Sequence, residues 1–253
     1  MAAGADSPGS ARPSLREPLL TFAATTAVAS GLFWSSKDVP FLHNNLHAFI
    51  AVLFYYAPVI AGRLSDKPFD FREAGLTLRP LRTNLAVLAV AIAIVFPLFI
   101  GAFFGFYGAV CAPVARGLPV ALSRLCPGGG WLGWTGGHLH LPSGFLLLAA
   151  NQVLIVAVPE EVFFRGYLLE RLEAIWPPGL RVAGAKVGVA LLASSVLFAL
   201  GHVLVDLNPQ RLAVFFPALI FGWISARTGS LAAGAAFHAL CNLLSEILHT
   251  SYF

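Results

Sequence analysis

The chain has 253 residues, of which 58% are hydrophobic and only 11% charged, with a net charge of +4 and a mean hydropathy of +0.79. A soluble domain carries about 25% charged residues, so the composition excludes an ordinary soluble protein. Apolar stretches of membrane-spanning length recur along the chain and leave no room for a separate soluble domain. The basic residues sit between these stretches and read as topology signals rather than as a nucleic-acid surface. Cys111, Cys126 and Cys241 form no disulfide framework and no Cys-x-x-Cys metal pattern.

The expected architecture is an all-α, polytopic bundle of about seven transmembrane helices, with eight possible if a helix is split. Residues 1–18, rich in Ala, Gly, Ser and Pro, read as a flexible tail. They hold no apolar core followed by a small-residue cleavage site, so no cleaved signal is expected. Residues 19–253 form a single transmembrane domain. The first two spans are Leu19–Trp34 and Leu46–Ala61, joined by the polar link Ser35–Asn45. His43 and His47 there read as interfacial residues, with a metal pair as the weaker alternative. Arg63–Asn84 turns abruptly basic and amphipathic and reads as a loop on the cytoplasmic membrane surface.

Leu85–Val110 is the third span, in which Pro97 is expected to introduce a kink. Cys111–Leu141 is the longest loop, marked by Pro127-Gly128-Gly129-Gly130-Trp131. Cys111 and Cys126 can pair if this loop faces an oxidising side. His138 and His140 read as solvated. Phe145–Trp176 is the fourth span, closed by Pro177-Pro178-Gly179. Val182–Leu204, the short Leu212–Ala226 and Leu231–Leu248 complete the set. With the N-terminus inside, the inner segments hold Arg12, Arg16, Arg63, Lys67, Arg72, Arg79, Arg82, Arg171, Arg181, Lys186 and Arg227. The outer ones hold only Lys37, Arg116, Arg124 and Arg211, a bias that favours this orientation.

Within the fourth span lies Pro159-Glu160-Glu161-Val162-Phe163-Phe164-Arg165-Gly166. Charged groups at bilayer depth cost several kcal/mol and persist when they face a protein interior and find partners. Glu161 and Arg165 are four apart and share a helix face, so they can neutralise each other. Glu160 points about 100° away and is left for other work. In the fifth span His202 follows Phe198 by four, and in the last His238 and Asn242 are four apart. At 1.5 Å per residue, Glu160 lies about 24 Å before the Pro177 turn and His202 about 27 Å beyond Gly184, so the two reach similar depth.

A buried carboxylate beside a histidine can serve as general base toward water. A second histidine and an asparagine amide can stabilise a developing oxyanion. No serine or cysteine forms a nucleophile dyad, so water is the expected nucleophile and acyl-bond hydrolysis the expected reaction. Glu160, His202 and His238 also match a two-His, one-carboxylate zinc set, the metal alternative.

Glu160-Glu161-x-x-x-Arg165, Phe198-x-x-x-His202 and His238-x-x-x-Asn242, in that order on successive helices, resemble the three motifs of the CAAX protease and bacteriocin-processing family. These are glutamic intramembrane endopeptidases of the type II CAAX prenyl protease kind. The resemblance covers about residues 145–248. It implies that Glu160 activates water with help from His202, that His238 and Asn242 stabilise the oxyanion, and that Glu161, Arg165 and Phe198 hold the site together. It implies no cofactor. The substrate would be a membrane-associated peptide or protein: prenylated, or a sorting-signal or bacteriocin precursor. Nucleic acid is not an expected partner. The Ala-, Gly- and Leu-rich composition fits a bacterial chain, which places the expected location in a bacterial cytoplasmic membrane. A non-catalytic scaffold or immunity protein of the same fold is the competing reading.

Overall fold

The computed structural model describes residues 13–114, 126, 131–133 and 138–253. Seven long helices dominate it. They are α1 (Arg16–Ser35), α2 (Pro40–Leu64), α3 (Leu81–Val114), α4 (Phe145–Glu173), α5 (Val189–Asp206), α6 (Phe215–Thr228) and α7 (Leu231–Tyr252). All except α6 are long and apolar enough to cross a membrane. The protein is an integral membrane helical bundle, as its composition requires.

Most boundaries lie within a few residues of the sequence expectation, and the exceptions have local causes. Arg16–Pro18, expected in the tail, already belong to α1, and residues 1–12 lie outside the described residues. Pro40 starts α2 inside the expected polar link; a proline fits the first helical turn, where no N–H partner is needed. α3 continues through Pro97 as one 34-residue helix. The fifth span does not begin at Val182. Leu180–Val182 (β1) and Ala185–Val187 (β2) instead pair as an antiparallel hairpin around Ala183 and Gly184, both at positive φ. The sixth helix is preceded by a 3₁₀ turn, Pro209–Val214, so that α6 keeps only 14 residues. At 1.5 Å per residue it spans about 21 Å, short of a hydrocarbon core about 30 Å thick.

The second half of α4 is the axis of the bundle. Val162, Phe163, Phe164, Arg165, Gly166, Tyr167, Leu168 and Leu169 are all buried, whereas Leu146, Leu147 and Leu154 in its first half are exposed. Phe163, Phe164, Tyr167 and Leu168 pack with Phe22 of α1, Ala57 and Ala61 of α2, Leu191 and Phe198 of α5 and Ala218 of α6. A second cluster joins Ala91 of α3 to Phe221 and Ile224 of α6 and Ala233 and Phe237 of α7.

The segment between α2 and α3 is bonded to the elements beside it. Gly75 O accepts from Leu231 N at 2.8 Å, Ser230 Oγ donates to Thr77 O, and Arg171 Nη2 donates to Lys67 O at 3.0 Å. The first two bonds fasten the segment to the α6–α7 turn, where Gly229 closes α6 in the left-handed conformation, and the third ties it to α4. Inside it, the backbone amides of Glu73 and Arg72 hold the Asp70 carboxyl below the usual carboxylate range. At the opposite end Cys111 and Cys126 form a disulfide with Cα atoms 5.6 Å apart. There Trp131 packs among Phe103, Phe104, Tyr107, Tyr252 and Phe253. His138 and His140 are exposed, and His140 N donates to Ser251 Oγ at 2.8 Å. His43 and His47 sit on α2, and both are exposed.

Two glycines give this packing opposite sensitivities. A Cβ on Gly62 would lie 2.7 Å from Lys67 O and 2.9 Å from Phe69 N, both backbone atoms, while one on Gly31 meets nothing within 4 Å. Gly62→Ala is expected to destabilise the protein by about 1–3 kcal/mol, the usual range for overpacking. Gly31→Ala, in the interior of α1, is expected to leave stability unchanged or raise it by up to about 1 kcal/mol through helix propensity. Thermal unfolding in detergent reads both.

Candidate active site

Glu160 and Glu161 sit in a four-residue α-helical stretch, Val158–Glu161, flanked by π-helical segments Gln152–Ala157 and Val162–Leu169. Pro159 lacks the N–H that an α-helix requires there, and its ring crowds the preceding turn. The wider i→i+5 register of the π segment before it, seen in the bond from Val158 N to Val153 O, accommodates that defect.

Glu161 and Arg165 meet as expected. Arg165 Nη1 lies 3.1 Å from Glu161 Oε1, and both side chains are almost wholly buried. Arg165 Nη2 donates to Ala218 O at 2.8 Å. The guanidinium carbon lies 4.6 Å from the centre of the Phe198 ring and 5.5 Å from that of Phe221. A flat, weakly hydrated cation suits this aromatic setting better than a lysine would. Glu161 Oε1 also receives His238 Nδ1 at 3.1 Å. Gly234 makes room for this arrangement: a Cβ there would stand 2.5 Å from Ser225 Oγ and 3.4 Å from Glu161 Oε2.

Glu160 is turned elsewhere. Its Oε2 is 3.9 Å from His202 Nε2 and 3.8 Å from His238 Nε2, and it makes no hydrogen bond among the described residues. These separations exceed a direct hydrogen bond and match a site where a small polar group lies between the partners. The Glu160 side chain is 13% exposed, that of His238 6% and that of His202 23%, so the cluster opens on the His202 side.

The second nitrogen of each imidazole fixes its tautomer. His202 Nδ1 is 2.9 Å from Phe198 O, and a carbonyl only accepts, so Nδ1 carries the hydrogen. His238 Nδ1 likewise faces a carboxylate oxygen already paired with Arg165. In their neutral forms both rings therefore turn an Nε2 lone pair toward Glu160. Phe198 packs beneath this set, with its ring centre 4.5 Å from that of His202, 5.9 Å from His238 and 4.8 Å from Phe164.

The structure thus brings together Glu160, Glu161, Arg165, Phe198, His202 and His238. Asn242 lies one turn beyond His238 on α7, and its amide is committed to a residue absent from the sequence reading: Asn242 Nδ2 donates to Gln152 Oε1 at 2.9 Å. A second unforeseen residue is Phe221, whose ring stacks on His238 at 4.4 Å with a 15° tilt. The only trace of Phe221 in the sequence is its place beside Gly222, itself packed against Leu191. Cys241, next to Asn242, is a half-buried free thiol. Among the described residues no group of three or more His, Cys, Asp or Glu side chains stands in metal-holding geometry.

The buried ion pair makes a strong demand on stability. Arg165→Met would leave Glu161 as an uncompensated buried charge, an arrangement that typically costs about 3–5 kcal/mol. The double variant Glu161→Gln/Arg165→Met is expected to regain most of that loss, because the charge goes with its partner. Melting temperatures of the two variants beside wild type test this.

Residues 142–244 match the family model described as Type II CAAX prenyl endopeptidase Rce1-like, a span that contains all three motifs. No curated protein and no solved structure matches the chain.

Proposed function

We propose, from the premise that residues 142–244 belong to the type II CAAX prenyl endopeptidase Rce1-like family, that this membrane protein cleaves peptide bonds with water activated by Glu160. The observation that carries the reading is the convergence of Glu160 Oε2 with two imidazole Nε2 atoms, at 3.9 and 3.8 Å, inside a helical bundle.

Glu160 and His202 are suited to hold a water between them. Glu160 takes a proton as the water oxygen attacks the carbonyl carbon of the scissile bond. The carbonyl oxygen gains the negative charge and is met by donors from α7. Asn242 supplies an amide N–H. His238 has Nδ1–H committed to Glu161 and donates from Nε2 as the imidazolium, whose charge Glu161 faces. Collapse of the intermediate breaks the C–N bond, and the proton held by Glu160 passes to the leaving nitrogen. The products are a carboxylate and an amine. A positioned base contributes typically about 10²–10⁴-fold, and one oxyanion donor about 10²–10³-fold. Glu161, Arg165 and Phe198 hold His238 and stay outside the bond changes.

The substrate is a membrane-associated peptide or protein, either prenylated at a C-terminal cysteine or a sorting-signal or bacteriocin precursor. The bias of basic residues supports a cytoplasmic N-terminus. The Cys111–Cys126 disulfide supports the same orientation, since disulfides persist in oxidising compartments. The composition supports a bacterial cytoplasmic membrane as the location.

The test is cleavage of a farnesylated CAAX peptide and of host membrane proteins by purified protein in liposomes. Glu160→Ala is expected to bring cleavage to background, and Asn242→Ala to lower kcat by about 10²–10³-fold. Activity is expected to survive a chelator. Loss on chelation with recovery on adding zinc would instead make the two histidines and Glu160 a metal site. A wild-type protein that cuts none of these substrates would favour the scaffold reading.

A further inference from the structure

We infer that Gln152 is a positioning residue for Asn242, holding its amide in place for the reacting carbonyl. The inference deepens the proposed hydrolase reading and rests on it.

An asparagine amide has a donor end and an acceptor end. Rotated by half a turn, Asn242 would present carbonyl lone pairs where the oxyanion forms and would repel it. A donor role therefore needs the amide held in place. The bond from Asn242 Nδ2 to Gln152 Oε1, at 2.9 Å, holds the amide with its nitrogen engaged. One N–H of Asn242 is held by Gln152, and the other stays available on the same fixed nitrogen. Both residues are partly buried, which limits competition from bulk water for this bond.

The backbone is built to make this contact. On an α-helix, Gln152 and Ala157 would point about 140° apart, at 100° per residue. Residues 152–157 are π-helical, and the wider i→i+5 register brings residues five apart closer to one face than an α-helix does. Ala157 is fully buried against Ala235 and Ala239 of α7, so Gln152 falls on the α7 side one turn earlier. Ala235, His238, Ala239 and Asn242 are spaced to share one face of α7. The small side chains of Ala235 and Ala239 let the two helices approach closely, which lets the short Gln152 and Asn242 side chains touch. An ordinary helical register would remove Gln152 from the site.

A double-mutant cycle on peptide cleavage tests the role. Gln152→Met keeps the length of the side chain and removes the acceptor. It is expected to lower kcat by about 10- to 100-fold, the scale of a misplaced functional group, with KM within twofold of wild type. Gln152→Ala is expected to give the same split. In an Asn242→Ala background, Gln152→Met is expected to cause no further loss, because its effect runs through the missing amide. Equal fold-losses in both backgrounds, a rise in KM with kcat unchanged, or an unchanged kcat would each overturn the role. The two readings fail differently: an inactive wild type overturns the hydrolase reading together with this role, whereas an active wild type with an undiminished Gln152→Met variant overturns this role alone.

Discussion

The ion pair between Arg165 and Glu161 is the constraint on which the rest of the site depends. Two opposite charges lie buried in the axis of a membrane bundle, and each is held by more than the other. Arg165 also donates to Ala218 O and lies over the Phe198 and Phe221 rings, while Glu161 also faces His238 Nδ1. Desolvating such a pair is expensive, and replacing it by apolar residues often costs nothing. Stability alone is therefore a poor reason for its presence. Its geometric effect is specific: it ties α4 to α6 and, through His238, to α7, and it fixes the ring that faces Glu160.

Two adjacent carboxylates thus receive opposite environments. Glu161 is enclosed and neutralised by Arg165. Glu160 makes no hydrogen bond through Oε2 among the described residues and is turned toward two lone pairs. Helix geometry produces the split, since neighbouring residues point about 100° apart. The division separates a carboxylate paired with a buried cation from one that faces two imidazoles. It also explains why the aromatic residues gather on one side. Phe198 and Phe221 fill the space around Arg165 and His238 and keep water from the ion pair, while the Glu160–His202 side stays partly open.

Much of this was legible in the sequence because the signals obey simple periodicities. Glu161 with Arg165 and Phe198 with His202 are four-residue pairs on regular faces, and hydropathy marked the helices that hold them. Gln152 was not legible. An α-helical count puts it about 180° from Glu161, and only the π register turns it to α7. Phe221 was hidden because its contact with His238 depends on how α6 crosses α7, which no local pattern encodes. The hairpin at Leu180–Val187 was missed because its short apolar strands continue the hydropathy of α5, and periodicity does not separate a short strand from the start of a span.

The shortness of α6 bears on how water and a polar peptide reach groups at bilayer depth. A helix of about 21 Å cannot carry its preceding loop to the far side of a hydrocarbon core about 30 Å thick. The turn before it is correspondingly polar and self-satisfied: Asp206 accepts from Arg211 Nε at 2.9 Å, and Asn208 Oδ1 accepts from Gln210 N. Asp206 ends α5 one turn beyond His202, which is more exposed than Glu160 and His238. A turn that satisfies its own charges can lie closer to the membrane interior than an ordinary loop, because irregular backbone is tolerated there only where its polar groups find partners. The polar end of α5 thus adjoins the open side of the site.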